Sequence, residues 1–169
     1  MTSLMSNRHE SSGLTCKKYF CGIDPGAKGA VAVIDEAGKV MHLQDLPTTN
    51  EGWNLLLLQT MYKPDNTYVA LENVHALPNQ STVAGFTFGK NVGKAELLAE
   101  ALAILDGVLL VTPQKWKKHF GLPKNKKEAI ELAKVLFKDV EERLTASKDG
   151  RAEALLIAEY CRQSFLGVL

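Results

Sequence analysis

Apolar positions along the chain follow two rhythms. Five short runs are β-branched, aromatic or aliphatic and end on turn residues: Lys18 to Asp24, Ala30 to Asp35, Lys39 to Leu46, Thr67 to Leu71, and Gly107 to Thr112. Such runs predict strands. The first three are joined by Pro25-Gly26-Ala27-Lys28-Gly29 and Glu36-Ala37-Gly38. These links are too short for a parallel crossover, so the three strands form an antiparallel meander. The other rhythm is helical. Asn50 to Lys63 repeats apolar residues at Trp53, Leu56, Leu57 and Met61, with Asn50 as its N-cap. Ser81 to Leu105 reads as a long helix broken in propensity by Gly85, Gly89 and Gly93. A short helix starts on Pro113 and runs to His119. Asn125 to Phe137 is amphipathic, and a last helix spans Ser147 to Gly167 with Ser147 as N-cap. Strands alternating with helices predict an α/β domain.

Composition changes this picture little. A chain of 169 residues with 46% hydrophobic and 23% charged residues suits one globular domain. The reading is a polar, Ser-rich, flexible tail over residues 1–17 and a domain over 18–169. The tail has no apolar signal core, and Glu10 and its shortness count against a transit peptide. No apolar run reaches the roughly 20 residues that a membrane helix needs, so no membrane partner is expected. Cys16, Cys21 and Cys161 have no metal-finger spacing, and their odd number gives no disulfide framework. They read as structural thiols in a reducing compartment. The net charge of +1 excludes a wholesale nucleic-acid coat but leaves local patches open.

Chemistry enters with the carboxylates. Glu72 closes the buried run from Thr67 to Leu71. A carboxylate at the edge of a core must be paired, protonated or metal-bound, and the carboxyl ends of strands are where α/β sheets gather ligands. Asp24 likewise closes an apolar strand; a turn aspartate holding its own backbone is an equal reading there. Asp149 and Glu153 lie four apart and share one helix face, which runs on through Leu156, Ile157 and Tyr160. For Asp149 alone, a first-turn carboxylate favoured by the helix dipole is the plainer account. Three or four carboxylates in one cleft repel each other unless divalent cations join them. Oxygen donors without His or Cys suit Mg²⁺ or Mn²⁺. Two such ions can clamp a phosphoryl transfer, the chemistry of phosphodiester hydrolysis.

With these residues in place the chain resembles the RuvC class of Holliday junction resolvases, within the RNase H-like fold. The matching pieces are Gly22-Ile23-Asp24-Pro25-Gly26, Ala70-Leu71-Glu72-Asn73 and Arg151-Ala152-Glu153-Ala154-Leu155-Leu156-Ile157-Ala158, covering roughly Tyr19 to Tyr160. The likeness is nearest to the chloroplast branch and its bacterial or phage relatives. It is carried there by Gly85-Phe86-Thr87-Phe88-Gly89, by Thr112 to Phe120, and by two late acids four apart where bacterial RuvC has them three apart. The resemblance implies a mixed five-stranded sheet in the order 3-2-1-4-5 with helices on both faces. It implies Asp24, Glu72, Asp149 and Glu153 as catalytic metal ligands for two Mg²⁺ ions, Mn²⁺ substituting, without a small-molecule cofactor. It also implies four-way junction DNA as substrate and a homodimer, since paired nicks need two sites. The expected location is the cytoplasm of a bacterial or phage-infected cell, with an organelle as the alternative.

Lys115, Lys117, Lys118, Lys124, Lys126 and Lys127 cluster between Pro113 and Lys127 with no carboxylate among them. Such a run reads as a solvated face or as phosphate contacts, and phosphate contact is the reading taken here. Lys117 and Lys127 match the family's site-proximal lysines. Bacterial RuvC carries a junction-probing Phe three residues after the strand-4 Glu. This chain has His75 there, and Phe86 or Phe88 could take over that role. Trp116 and Phe120 read as core. The Gly85, Gly89, Gly93 stripe reads either as tight packing inside the chain or as a subunit or DNA-facing edge. The competing enzyme reading is an RNase H-like nuclease processing structured RNA. An actin-like kinase is disfavoured by the short chain and the lack of a second phosphate motif. A junction binder without catalysis would have no use for so much negative charge beside phosphates.

Overall fold

Alternation along the strands sorts their side chains between two cores. The computed structural model describes residues 17–60, 66–75, 81–103, 107–123 and 126–168. Its sheet is built from β1 (Tyr19–Asp24), β2 (Ala30–Asp35), β3 (Val40–Asp45), β4 (Thr67–Glu72) and β5 (Val108–Val111), in the order β3-β2-β1-β4-β5. The first three form the expected antiparallel meander, while β4 runs parallel to both β1 and β5. Cys21, Ile23, Val31, Val33, Val69 and Leu71 face one core. That core is covered by α1 (Asn50–Thr60) and α2 (Thr82–Leu102) through Trp53, Leu56, Ala95, Leu98, Ala99 and Leu102. Phe20, Ala30, Ala32, Ile34 and Ala70 face the other. There the cover is α3 (Pro113–His119), α4 (Lys126–Leu136) and α5 (Asp149–Phe165).

The helix α5 lies directly against β1. A Cβ on Gly22 would stand 2.2 Å from both the Ala154 carbonyl oxygen and the Ala158 nitrogen. Only a residue without a side chain allows that approach. Ala154 and Ala158, one turn apart, present the smallest helix surface to it. Each residue from Ala152 to Cys161 is buried. The expected inward stripe is there, but the opposite face is covered too, because α4 and α3 pack over α5. Periodicity cannot reveal a helix enclosed on all sides.

Several local expectations are corrected. The last helix starts at Asp149, after 3-10 turns at Lys138–Arg143 and Ala146–Lys148; Ser147 lies within the second turn and does not cap it. Helix α1 starts at Asn50, and Thr49 takes the capping role, its Oγ1 accepting from the Gly52 N–H at 3.1 Å. Among the described residues nothing packs against the glycine stripe of α2: a Cβ at Gly85, Gly89 or Gly93 would meet none of them within 4 Å. Ser81 does cap α2, accepting from the Ala84 N–H. The expectations for the tail up to Cys16, for Met61, for most of the Val74 to Gln80 loop and for Lys124 lie outside the described residues.

The Gly22 contact is testable. Gly22→Ala forces backbone against backbone, and chemical denaturation should show a loss of about 3 kcal/mol or more. A loss below about 1 kcal/mol would show that α5 can lift from β1 without penalty.

Candidate active site

The parity that buries Phe20 and Ala70 under α5 also sends Asp24 and Glu72 to that face. Gly22 pairs with Ala70 and Ile23 with Leu71 in parallel register, so Asp24 and Glu72 follow side by side at the carboxyl ends of adjacent strands. The start of α5 comes down on them. A Cβ at Gly150 would lie 2.0 Å from the Lys28 carbonyl oxygen and 3.1 Å from Asp24 Oδ2, so the helix begins in contact with the β1–β2 turn. Asp149 and Glu153 therefore enter the same cleft. That cleft, about 420 Å³, is lined by Asp24, Glu72, Asp149 and Glu153 together with Lys28, Val74 and small residues of the turn. The four carboxylates are only 5–7% exposed.

Three of them have a distinct hold. Asp24 Oδ1 accepts from the Gly26 N–H at 2.9 Å, so the turn-aspartate reading and the site reading are both true of it. Glu72 Oε1 accepts from the indole N–H of Trp116 at 2.8 Å. Lys117 Nζ bonds Glu153 Oε1, also at 2.8 Å. Two consecutive residues of α3 thus reach two carboxylates from different elements. Thr112 fixes the start of α3, its Oγ1 accepting from the Lys115 N–H, with Pro113 following. The far end of α3 is tied to α5 by His119 Nε2 on Gln163 Oε1 at 2.7 Å. Gln163 and Arg162 in turn bond the buried Glu159, Arg162 as a two-armed pair at 2.6 and 2.8 Å. Hydrogen bonding to Glu159 holds the Arg162 guanidinium more firmly protonated than usual.

A second clamp sits just outside the cleft. Asp45, at the end of β3, takes a two-armed bond from Arg151 at 2.6 and 3.1 Å and an ion pair from Lys148. These two cations bracket Asp149 and Gly150. Burial pushes the Asp45 carboxyl up, but the bonds and charges of Arg151 and Lys148 outweigh it and hold the group below its ordinary 3.8. Arg143 bonds the Leu43 carbonyl of the same strand.

All four sequence-predicted acids are brought together. Among the lysines, Lys117 reaches the cleft, while Lys115 and Lys118 are exposed on α3. Lys118 and Lys117 line a groove with Leu122 and Pro123. Lys127 is exposed on α4 and lines another groove that shares Asp149 with the cleft. His75 and Phe86 are exposed, and neither lines the cleft. Trp116 is buried as expected, yet its bond to Glu72 was missed, as was the Asp45 clamp. An indole N–H in an apolar context signals that some acceptor must meet it, but no sequence spacing names Glu72, 44 positions away.

The donor set fits a hard divalent cation: four carboxylates and no His or Cys. Among the described residues, however, no group of three or more His, Cys, Asp or Glu side chains is arranged to hold a metal ion.

No family model matches the chain, and no curated protein matches it. Solved structures do. Thermus thermophilus RuvC in complex with a Holliday junction substrate matches with a TM-score of 0.61 and 19% identity, over 89% of this chain and 96% of that one. A second Thermus thermophilus RuvC structure matches with a TM-score of 0.57 and 17% identity, over 88% and 96%. The chain therefore has the RuvC fold, RNase H-like, with the five-stranded order that the resemblance implied.

The Asp45 clamp carries a pH signature. Its folded-state pKa is depressed, so its contribution is present above the unfolded value near 3.8 and is lost as pH falls through the lower folded value. Asp45→Asn should cost on the order of 1 kcal/mol at neutral pH. The gap to wild type should close in denaturation series below about pH 4. A gap independent of pH would mean that the carboxylate charge contributes nothing.

Proposed function

We propose that this protein is a structure-selective endodeoxyribonuclease that resolves four-way DNA junctions by paired, symmetrical nicks. One observation carries the reading: four buried carboxylates from three elements share a single cleft. The fold match to a RuvC bound to a Holliday junction supports the choice of substrate. Asp24, Glu72, Asp149 and Glu153 would hold two Mg²⁺ ions, with Mn²⁺ as substitute; when bound, these supply activation of the attacking water and stabilisation of the leaving oxygen.

The chain's own groups do the rest. Asp24 and Glu72 stand on paired strands and cannot drift apart. Asp149 and Glu153 are held down by the Gly150 contact and the Asp45 clamp. Lys117 is a movable cation at the site: its long stem lets Nζ turn from Glu153 to a phosphate oxygen at the rim. Lys115, Lys118 and Lys127 supply phosphate contacts flanking the cleft. His75 is an exposed ring available to unstacked bases.

Paired nicks need two copies. The amino-terminal half of α2 supports a homodimer: Val83 and Phe86 are 77% and 69% exposed, and the glycine stripe beside them leaves room for a second backbone. Light scattering should give twice the chain mass, and Val83→Glu should yield monomers that nick one strand at a time. Unchanged mass in the variant would place the interface elsewhere.

Cleavage of a mobile four-way junction, a linear duplex and a folded RNA in Mg²⁺ tests the activity. Junction nicks at symmetrical positions are expected, abolished by a chelator. Asp24→Asn, Glu72→Gln and Glu153→Gln should each lower the rate by about 10³-fold or more, and Lys117→Met by roughly 10²-fold. Cleavage of RNA with the junction left intact would transfer the reading to RNA processing. Acid variants as active as wild type would end it.

A further inference from the structure

We propose that the groove beside α3 is a nucleotide subsite, in which Gln114 reads the base next to the cleaved phosphate. The proposal rests on the reading of the cleft as a nuclease site. The groove has a volume of about 500 Å³, and Gln114, Lys117 and Lys118 line it together with Pro113, Leu122 and Pro123. It adjoins the cleft at Lys117, whose Nζ bonds Glu153. Its walls are held by backbone. Gly121, at φ +64°, ends α3 in the left-handed region. The Gly121 N–H donates to the Lys118 carbonyl at 3.1 Å, and the Leu122 N–H donates to the Lys117 carbonyl at 2.8 Å. The chain is thereby turned back, so that Leu122 and Pro123 share one groove with Pro113 and Gln114 of the helix. Leu122 also packs against the core under α5, and Thr112 caps the other end of α3. The groove is therefore formed before any ligand arrives.

The lining selects the ligand. Apolar walls with a few polar groups suit the flat face of an unstacked base and its sugar. Two ammonium groups favour an anionic strand, and the chain has no carboxylate from Pro113 to Pro123 to oppose it. A strand whose phosphate enters the acidic cleft passes Lys117, so the adjoining nucleotide is the one the groove receives. Gln114 supplies what the lysines lack. Its amide carries a donor and an acceptor side by side, which reads a base edge, whereas a lysine on a phosphate carries no sequence information. Gln114 is exposed, and no other described side chain lining the groove offers both groups.

Nicking of a set of four-way junctions that differ only in the base pairs beside the cut, in Mg²⁺, tests this with the full chain. Wild type should favour one base next to the nick by about tenfold or more, and Gln114→Ala should lose that preference. Binding of the same junctions in the presence of a chelator gives a second reading that needs no cleavage. Wild type should rank the junctions in the same order, and Gln114→Ala should bind them all alike; this ranking decides if the variant does not nick. Lys118→Ala, in the same groove, should weaken binding to every junction equally and reduce the slope of log affinity against log salt by about 1. A preference that survives Gln114→Ala, or that is lost in Lys118→Ala instead, overturns the proposal. So does a wild type that nicks every sequence equally, and in each of these cases the nuclease reading still stands. A wild type that neither binds nor nicks junctions removes that reading and the proposal with it.

Discussion

The close contact between α5 and β1 governs the rest of the molecule. At Gly22 a helix backbone meets a strand backbone with no side chain between them. Such an approach puts Asp149 and Glu153 within the same cleft as Asp24 and Glu72, rather than a side-chain layer above it. It also lets one helix be buried from Ala152 to Cys161. A larger residue at position 22 would raise the helix and open the acidic cleft to water. Charge concentration depends on exclusion of water for its strength, since interactions between charges weaken as the surrounding dielectric rises.

That concentration is a liability to the fold before it is an asset to chemistry. Four carboxylates at 5–7% exposure oppose one another and resist burial. The structure offsets this locally. A turn amide meets Asp24, an indole meets Glu72, and an ammonium meets Glu153. Asp45 collects Arg151 and Lys148 on the outer side, which fixes the helix start. Helix α3 supplies two of these partners from adjacent positions and so acts as a brace between β4 and α5.

The second face of the sheet has a different task. Helices α1 and α2 close its core through their buried stripe, but the first half of α2 carries large exposed side chains and glycines on which none of the described residues packs. Cleft and exposed helix lie on opposite faces of one sheet. A partner on α2 would leave the acidic cleft open to solvent.

Much of this was legible in the chain. Strand positions, the antiparallel meander and the inward direction of Glu153 follow from local alternation and spacing, because side-chain direction repeats every two residues in strands and every 3.6 in helices. Asp24 and Glu72 stood out as carboxylates closing apolar strands and Glu153 as one in line with an apolar helix stripe, while Asp149 needed the resemblance. Helix starts were less legible: Thr49 and not Asn50 caps α1, and Ser147 sits in a 3-10 turn, since several polar neighbours compete for the same N–H groups. The strand order needed the resemblance as well, for periodicity does not say which strands pair. What only the tertiary structure decided is how distant groups meet. Trp116 on Glu72, Lys117 on Glu153 and Arg151 on Asp45 join residues 36 to 106 positions apart. A sequence fixes which groups each residue carries and which way its own element turns them. Contacts between elements depend on how those elements pack in three dimensions, and no local period encodes that.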